Sequence, residues 1–218
     1  MKGARQLWFR PDHTGWNPRL YEWFSSTILG GALRAREEST IYDLLGDVLE
    51  RGHSVLEVGC GTGNYTIPVA RRCARMVAVD ASPQMLRHTR GRLDREGLSG
   101  VETRLGRLPG RLGPARSFDG TLAIGVLDYV RDIEAALRSL VLPLKPGGWT
   151  VFNVPARSTE GRLNALVEFV DRRRIYFYSI PEIADLGKKT GLKIETTATA
   201  GLSRGGITVV VSATKPGS

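Results

Sequence analysis

Apolar residues in this chain recur with two different periods, and the alternation between them sets the expected architecture. Short, nearly unbroken apolar runs read as strands buried on both faces: Val55-Leu56-Glu57-Val58, Met76-Val77-Ala78-Val79-Asp80 and Trp149 to Val154. Runs at Val101 to Leu105 and Phe118 to Gly125 add two more. Between them, apolar positions three and four apart predict helices. Leu20, Trp23, Phe24, Thr27 and Ile28 predict one that Pro18 opens and Gly30-Gly31 closes. Ile41, Leu44, Leu45, Val48 and Leu49 predict a second, stopped at Gly52. Ser82-Pro83 starts a helix that buries Met85, Leu86, Thr89 and Leu93 and ends at Gly97. Asp132 caps another, bearing Ile133, Leu137, Leu140 and Val141.

From Ala156 the simple alternation stops. Leu163, Leu166, Val167 and Val170 suggest a helix, followed by Arg172-Arg173-Arg174 and Ile175-Tyr176-Phe177-Tyr178. A capped helix over Ser179 to Lys189 ends at Gly191, and two β runs, Lys193 to Ala200 and Ile207 to Thr214, close the chain as a hairpin. Lys215-Pro216-Gly217-Ser218 reads as loose. The pattern predicts an α/β fold: a doubly wound, seven-stranded, mostly parallel sheet with helices on both faces and an antiparallel C-terminal strand.

One stretch carries chemistry. Glu57-Val58-Gly59-Cys60-Gly61-Thr62-Gly63-Asn64 is a strand end, a glycine turn and a helix start. Glycine is required where φ is positive or a ligand approaches the backbone, and the helix start offers unpaired N–H groups. The dinucleotide fingerprint G-x-G-x-x-G would need glycine at position 64, which is Asn64. A nicotinamide-dependent oxidoreductase is therefore disfavoured. Glu57, two residues before the first glycine, would repel a pyrophosphate but suits an ammonium group. Asp80 ends the second strand about twenty residues past the turn, where a ribose-binding carboxylate sits in doubly wound folds.

This E-V-G-C-G-T-G sequence resembles the first motif of class I S-adenosylmethionine-dependent methyltransferases, and the resemblance extends over roughly residues 40–214. Glu57, Gly59, Gly61 and Gly63 match that motif. Asp80, followed by Ala81 to Leu86, matches the acid that binds the ribose hydroxyls, and Phe118-Asp119 and Leu144 to Gly148 match further on. The resemblance implies a Rossmann-like domain over 53–214, preceded by an N-terminal helical lid and substrate-binding segment over 1–52. It implies S-adenosyl-L-methionine as cofactor, S-adenosyl-L-homocysteine as product, and Glu57, Gly59, Cys60, Gly61, Gly63, Asp80, Ala81, Met85, Gly106, Arg107, Leu108 and Ile124 as the binding set. Relatives often carry an acid after strand three that accepts a hydrogen bond from adenine; here the turn is Gly106-Arg107-Leu108, and arginine accepts none.

Methyl transfer from a sulfonium is an in-line displacement, so positioning supplies much of the rate. The Asn/Asp-Pro-Pro-Tyr motif of nucleobase amino methyltransferases is replaced here by Gly125-Val126-Leu127-Asp128-Tyr129. No cysteine nucleophile follows strand four, and no histidine base follows strand four or five. The acceptor is then expected to be a nucleophile already: an amine, a carboxylate or an activated carbon, oriented by Asp128 and Tyr129. Trp16, Tyr21 and Trp23, with Tyr176 and Tyr178, are the expected substrate contacts. Together with Arg172 to Arg174 they would line an aromatic, basic mouth suited to an amphipathic, anionic acceptor. Leu20-Tyr21-Glu22-Trp23-Phe24 followed by Gly31 and Arg34 has a weaker resemblance to quinone-biosynthesis and phospholipid methyltransferases, and the C-terminal part to magnesium-protoporphyrin methyltransferases. Neither singles out a subfamily.

Composition narrows the alternatives. A chain of 218 residues suits one sizeable α/β domain. Two cysteines, Cys60 and Cys73, and scattered histidines at 13, 53 and 88 argue against a disulfide framework or a metal site. No run approaches a membrane span, and the N-terminus lacks a signal-peptide core, so a cytoplasmic protein with at most peripheral membrane contact is expected. The net charge of +9 raises RNA or protein methylation as an alternative. Its arginines are spread over several helices, which favours a solvated surface and makes nucleic acid the weaker choice. A non-catalytic cofactor-binding partner protein remains the third reading.

Overall fold

The computed structural model describes residues 28–162, 175–201, 203 and 205–217. Its centre is a seven-stranded sheet in the order β3-β2-β1-β4-β5-β7-β6. The strands are β1 (Ser54–Val58), β2 (Arg75–Asp80), β3 (Glu102–Leu105), β4 (Phe118–Ala123), β5 (Leu144–Pro155), β6 (Lys193–Ala200) and β7 (Thr208–Thr214). Pairings from β3 across to β5 are parallel, and β7 runs antiparallel to both of its neighbours. The strand order reverses between β1 and β4, which opens a crevice at their C-terminal ends.

Helices cover both faces, as the two-sided burial of β1 and β2 requires. On one face α1 (Ile28–Val48), α2 (Thr66–Ala70) and α3 (Pro83–Arg95) bury Ile41, Leu44, Leu45, Ile67, Val69 and Leu93 against Val55, Ala78, Leu122 and Val151. On the other, α4 (Ile133–Val141) and α5 (Ile180–Thr190) bury Leu137, Leu140 and Ile183 against Leu56, Val77, Phe152 and Val211. Ile41, Leu44 and Leu45 of α1 thus pack within a layer on the sheet.

The local signals hold. Ser82 Oγ accepts from Met85 N, Ser179 N–H donates to Glu182, and Gly191 ends α5 at φ 75°. Asp132 Oδ1 accepts from Ala135 N at 2.9 Å, capping α4. Replacing Asp132 with alanine is expected to cost about 1 kcal/mol, read as a lower urea midpoint at unchanged slope.

Three expectations are corrected. Gly30-Gly31 does not end a helix: α1 runs through both residues to Val48. Each glycine costs about 1 kcal/mol in a helix interior, and the buried Ile41, Leu44 and Leu45 further along outweigh it. Leu144 to Gly148 is not a turn before the strand. It is the first part of β5, with a register shift opposite Phe118 and Gly120 that Gly147 accommodates at φ 77°. Lys215 is not loose: it exchanges backbone hydrogen bonds with Gly147 and Gly148, and its ammonium donates to the Leu144 carbonyl at 2.7 Å. The expected helix around Leu163 to Val170 lies outside the described residues.

Candidate active site

The glycine turn begins where β1 stops. Gly59 and Cys60 both direct their N–H groups at the Val79 carbonyl, at 2.8 and 3.0 Å, which ties the turn to β2. Gly59, Gly61 and Gly63 have φ of 77°, 53° and 88°, so all three use a conformation that side chains disfavour. Gly59 also has no room: a Cβ there would lie 2.7 Å from Val126 Cβ. A Cβ on Gly61 would meet nothing within 4 Å, so the middle of the turn faces open space. This is a cradle closed from behind and open in front.

Asp80 organises that cradle. One carboxylate oxygen accepts the Gly61 N–H at 2.8 Å and the other accepts the Ser82 N–H at 2.8 Å. Thr89, on α3, donates its hydroxyl to the Gly61 carbonyl at 2.6 Å, and Arg92 donates to the Thr62 carbonyl at 2.8 Å. The turn is therefore held on both flanks by β2 and α3. A carboxylate oxygen accepts more than one hydrogen bond, so Asp80 can hold the turn and also accept from ligand hydroxyls.

Glu57 lies beneath the turn and is buried. Its partner is the Thr66 hydroxyl at 2.6 Å, at the start of α2, and not an arginine. Burial raises its pKa to about 7; the Thr66 hydrogen bond opposes the rise and the charge of Asp80 adds to it. Cys60 is buried beside the same two acids, and burial first, then their charges, push its thiol far up. Its side chain packs in the α1–α3 layer.

The loop after β4 forms the opposite wall. Gly125, at φ 65°, leads into Val126 against Gly59 and then a 3₁₀ turn over Leu127–Tyr129. Asp128 and Tyr129 are therefore at the same sheet edge as Glu57 and Asp80. Tyr176 N–H donates to the Asp128 carbonyl at 3.3 Å, and Tyr178 is fixed by main-chain bonds to Pro155 and Arg157. Arg157 further anchors this segment through the Phe177 carbonyl and Glu182, both at 2.9 Å. An open depression here is lined by Arg157, Arg162 and residues Ile175 to Tyr178.

The remaining expected residues are distributed as follows. Ala81 follows Asp80 directly, and Met85 is buried in the first turn of α3. Ile124 packs against the α1–α3 face. Gly106 N–H donates to the Asp80 carbonyl at 2.9 Å, which brings the turn after β3 beside the crevice. Within that turn Arg107 is exposed, whereas Leu108 packs on the core beneath α4. Trp16, Tyr21 and Trp23 lie outside the described residues. Three polar residues at the site were not singled out from sequence: Thr66, Asn153 and Glu37. Asn153 had a signal, being the one polar residue in Val151-Phe152-Asn153-Val154.

Residues 32–197 match the family described as a methyltransferase domain. The chain belongs to that family. A ubiquinone biosynthesis O-methyltransferase of Methylocella silvestris is 34% identical over 97 residues, 44% of this chain and 38% of the relative. A demethylmenaquinone methyltransferase of Tropheryma whipplei is 40% identical over 111 residues, 49% of this chain and 44% of the relative. The chain thus spans less than half the length of both relatives. Among solved structures, magnesium protoporphyrin IX methyltransferase of Synechocystis, with bound S-adenosylhomocysteine, superposes with a TM-score of 0.70. It shares 15% identity, over 97% of this chain and 92% of that one, a likeness of fold. The cradle's residues fit the family's cofactor: the Glu57 and Asp80 carboxylates lie at the ends of two adjacent strands, with open glycine backbone beside them.

Proposed function

We propose that the protein transfers the methyl group of S-adenosylmethionine to a small or amphipathic acceptor of the quinone-precursor type, at nitrogen, oxygen or activated carbon. The cofactor supplies an electrophilic methyl on a sulfonium. The chain's own residues hold and orient. Glu57 would take the amino-acid end, the Gly59–Gly63 turn the centre, and Asp80 the ribose, with Ala81, Met85 and Gly106 to Leu108 around the adenine. Asp128 and Tyr129 orient the acceptor, and no histidine base is assigned.

The observation that carries this reading is the Ile175 to Tyr178 segment, bonded to the Asp128 carbonyl and lining an open depression with Arg157 and Arg162. Aromatic side chains and two guanidinium groups lining one depression suit a flat acceptor with an anionic substituent. The quinone-biosynthesis relatives support the same class of acceptor. Among the described residues no helix is long and apolar enough to cross a membrane. We place the reaction in the cytoplasm, with peripheral membrane contact where the acceptor is lipid-soluble. Nucleic acid is a weaker choice, because several arginines behind the net charge are engaged locally: Arg71 with Glu96, Arg75 with Glu102, Arg138 with Glu134.

The test is transfer of labelled methyl from S-adenosylmethionine to a bacterial lysate and to a hydroxylated benzoquinol bearing a short isoprenoid tail. Label is expected in the organic phase, reduced about tenfold by Tyr176→Ala as acceptor positioning is lost. Label that stays aqueous and is released by nuclease would replace this reading with RNA methylation.

A further inference from the structure

We propose that Glu37 and Asn153 are positioning residues, which couple the seating of helix α1 to the shape of the Gly125–Tyr129 turn. The proposal rests on the reading of that turn as the acceptor-facing wall. Asn153 is only 4% exposed, in the middle of β5. A buried amide is costly unless paired, and this one is paired at both ends. Its Nδ2 donates to Glu37 Oε1 at 2.7 Å, and its Oδ1 accepts the Gly125 N–H at 2.7 Å.

Glu37 and the Gly125 N–H together set which way the amide faces. An ionised carboxylate only accepts, so Nδ2 must point to Glu37 and Oδ1 is left for Gly125. That hydrogen bond pins Gly125 in its left-handed conformation, at φ 65°. The next residue, Val126, then abuts Gly59 of the cofactor cradle, and Asp128 and Tyr129 follow in the 3₁₀ turn. Without Glu37 only the Gly125 N–H holds the amide's orientation, and the buried Nδ2 loses its acceptor, a cost the amide and the turn relieve by moving together. Arg36, the neighbouring residue on α1, donates to the Gly201 carbonyl at 3.0 Å, so the helix is fixed to the sheet at this same turn. One side-chain amide therefore reads whether α1 is docked and transmits it to the acceptor wall.

The test uses the full chain and does not need the acceptor. In Glu37→Ala, hydrogen exchange over residues 124–129 should accelerate about tenfold or more, the range expected for loss of a buried hydrogen bond. Exchange at Gly61 and Gly63 and the affinity for S-adenosylhomocysteine should change less than about threefold. Asn153→Asp places two carboxylates face to face and should accelerate exchange in the same segment. Adding Glu37→Gln gives the new carboxylate an amide donor and should restore the wild-type rate. Unchanged exchange over 124–129 in Glu37→Ala overturns the proposal, as does a double variant no better than Asn153→Asp. If Asn153→Asp does not fold, Glu37→Ala decides alone. Failure of methyl transfer to a quinol would remove the proposed acceptor and leave these exchange rates unaffected.

Discussion

Replacing Asp80 with alanine is expected to weaken binding of S-adenosylhomocysteine by about 100-fold or more, measured by calorimetry at neutral pH. The residue supports the ligand in two ways. Its two oxygens accept the N–H groups of Gly61 and Ser82, both at 2.8 Å, so the carboxylate sets the shape of the glycine turn before any ligand arrives. The same oxygens are the assigned acceptors for the ribose hydroxyls. Hydrogen bonds to a charged group contribute about 1.5–3 kcal/mol each, so losing a ribose pair alone is worth tenfold or more per bond. Loosening of the turn adds to that. Asparagine keeps one acceptor oxygen and should lose about tenfold, between wild type and alanine. An unchanged dissociation constant in Asp80→Ala would mean that the ribose lies elsewhere, with Asp80 left only as a capping residue.

What the sequence could show, and what it could not, divides along contact range. The caps at Ser82, Asp132 and Ser179 are legible because each is satisfied by a residue three positions on, and the glycine turn and Asp80 are legible because their residue types and spacing match a known motif, although the turn's partners lie about twenty residues away or more. The antiparallel end of the sheet is legible because a hairpin joins adjacent runs. The misread elements all depend on distant partners. Helix α1 survives Gly30-Gly31 because its later residues dock on strands far along the chain. The bulge at Gly147 and the ordering of Lys215 explain each other, and neither is visible without β7 lying beside β5. Asn153 and Glu37 are 116 residues apart, and only the fold makes one buried amide out of an isolated asparagine and a helical glutamate. Glu57 falls between the two cases. Its position before the glycines marks it as functional, but its partner Thr66 and its burial come from the way α2 closes over the strand end.

That burial makes the protein's behaviour strongly pH-dependent. Glu57 has a pKa of about 7 in the folded, ligand-free chain against an ordinary value of 4.5. Below pH 4.5 it is protonated whether the chain is folded or not, and contributes nothing to the difference. As pH rises from there towards 7, the unfolded chain loses the proton first, so the folded state binds more protons and stability falls. Above 7 the loss levels off at about 3 kcal/mol, the cost of a buried charge with one hydrogen-bond donor. Binding runs the other way. The ammonium of the ligand favours the ionised carboxylate, so affinity should rise up to about tenfold per pH unit from roughly 5 to 7 and then flatten. It should fall again above about pH 8, as the ligand's own amino group loses its charge. Calorimetry at about pH 6 in buffers of different ionisation enthalpy should show release of about one proton on binding. Glu57→Gln removes both effects: the empty protein becomes more stable at about pH 8, and affinity becomes weak and level from roughly pH 5 to 7. If wild-type binding releases no proton at about pH 6, Glu57 does not receive the ammonium, and its carboxyl serves only to hold Thr66 at the start of α2.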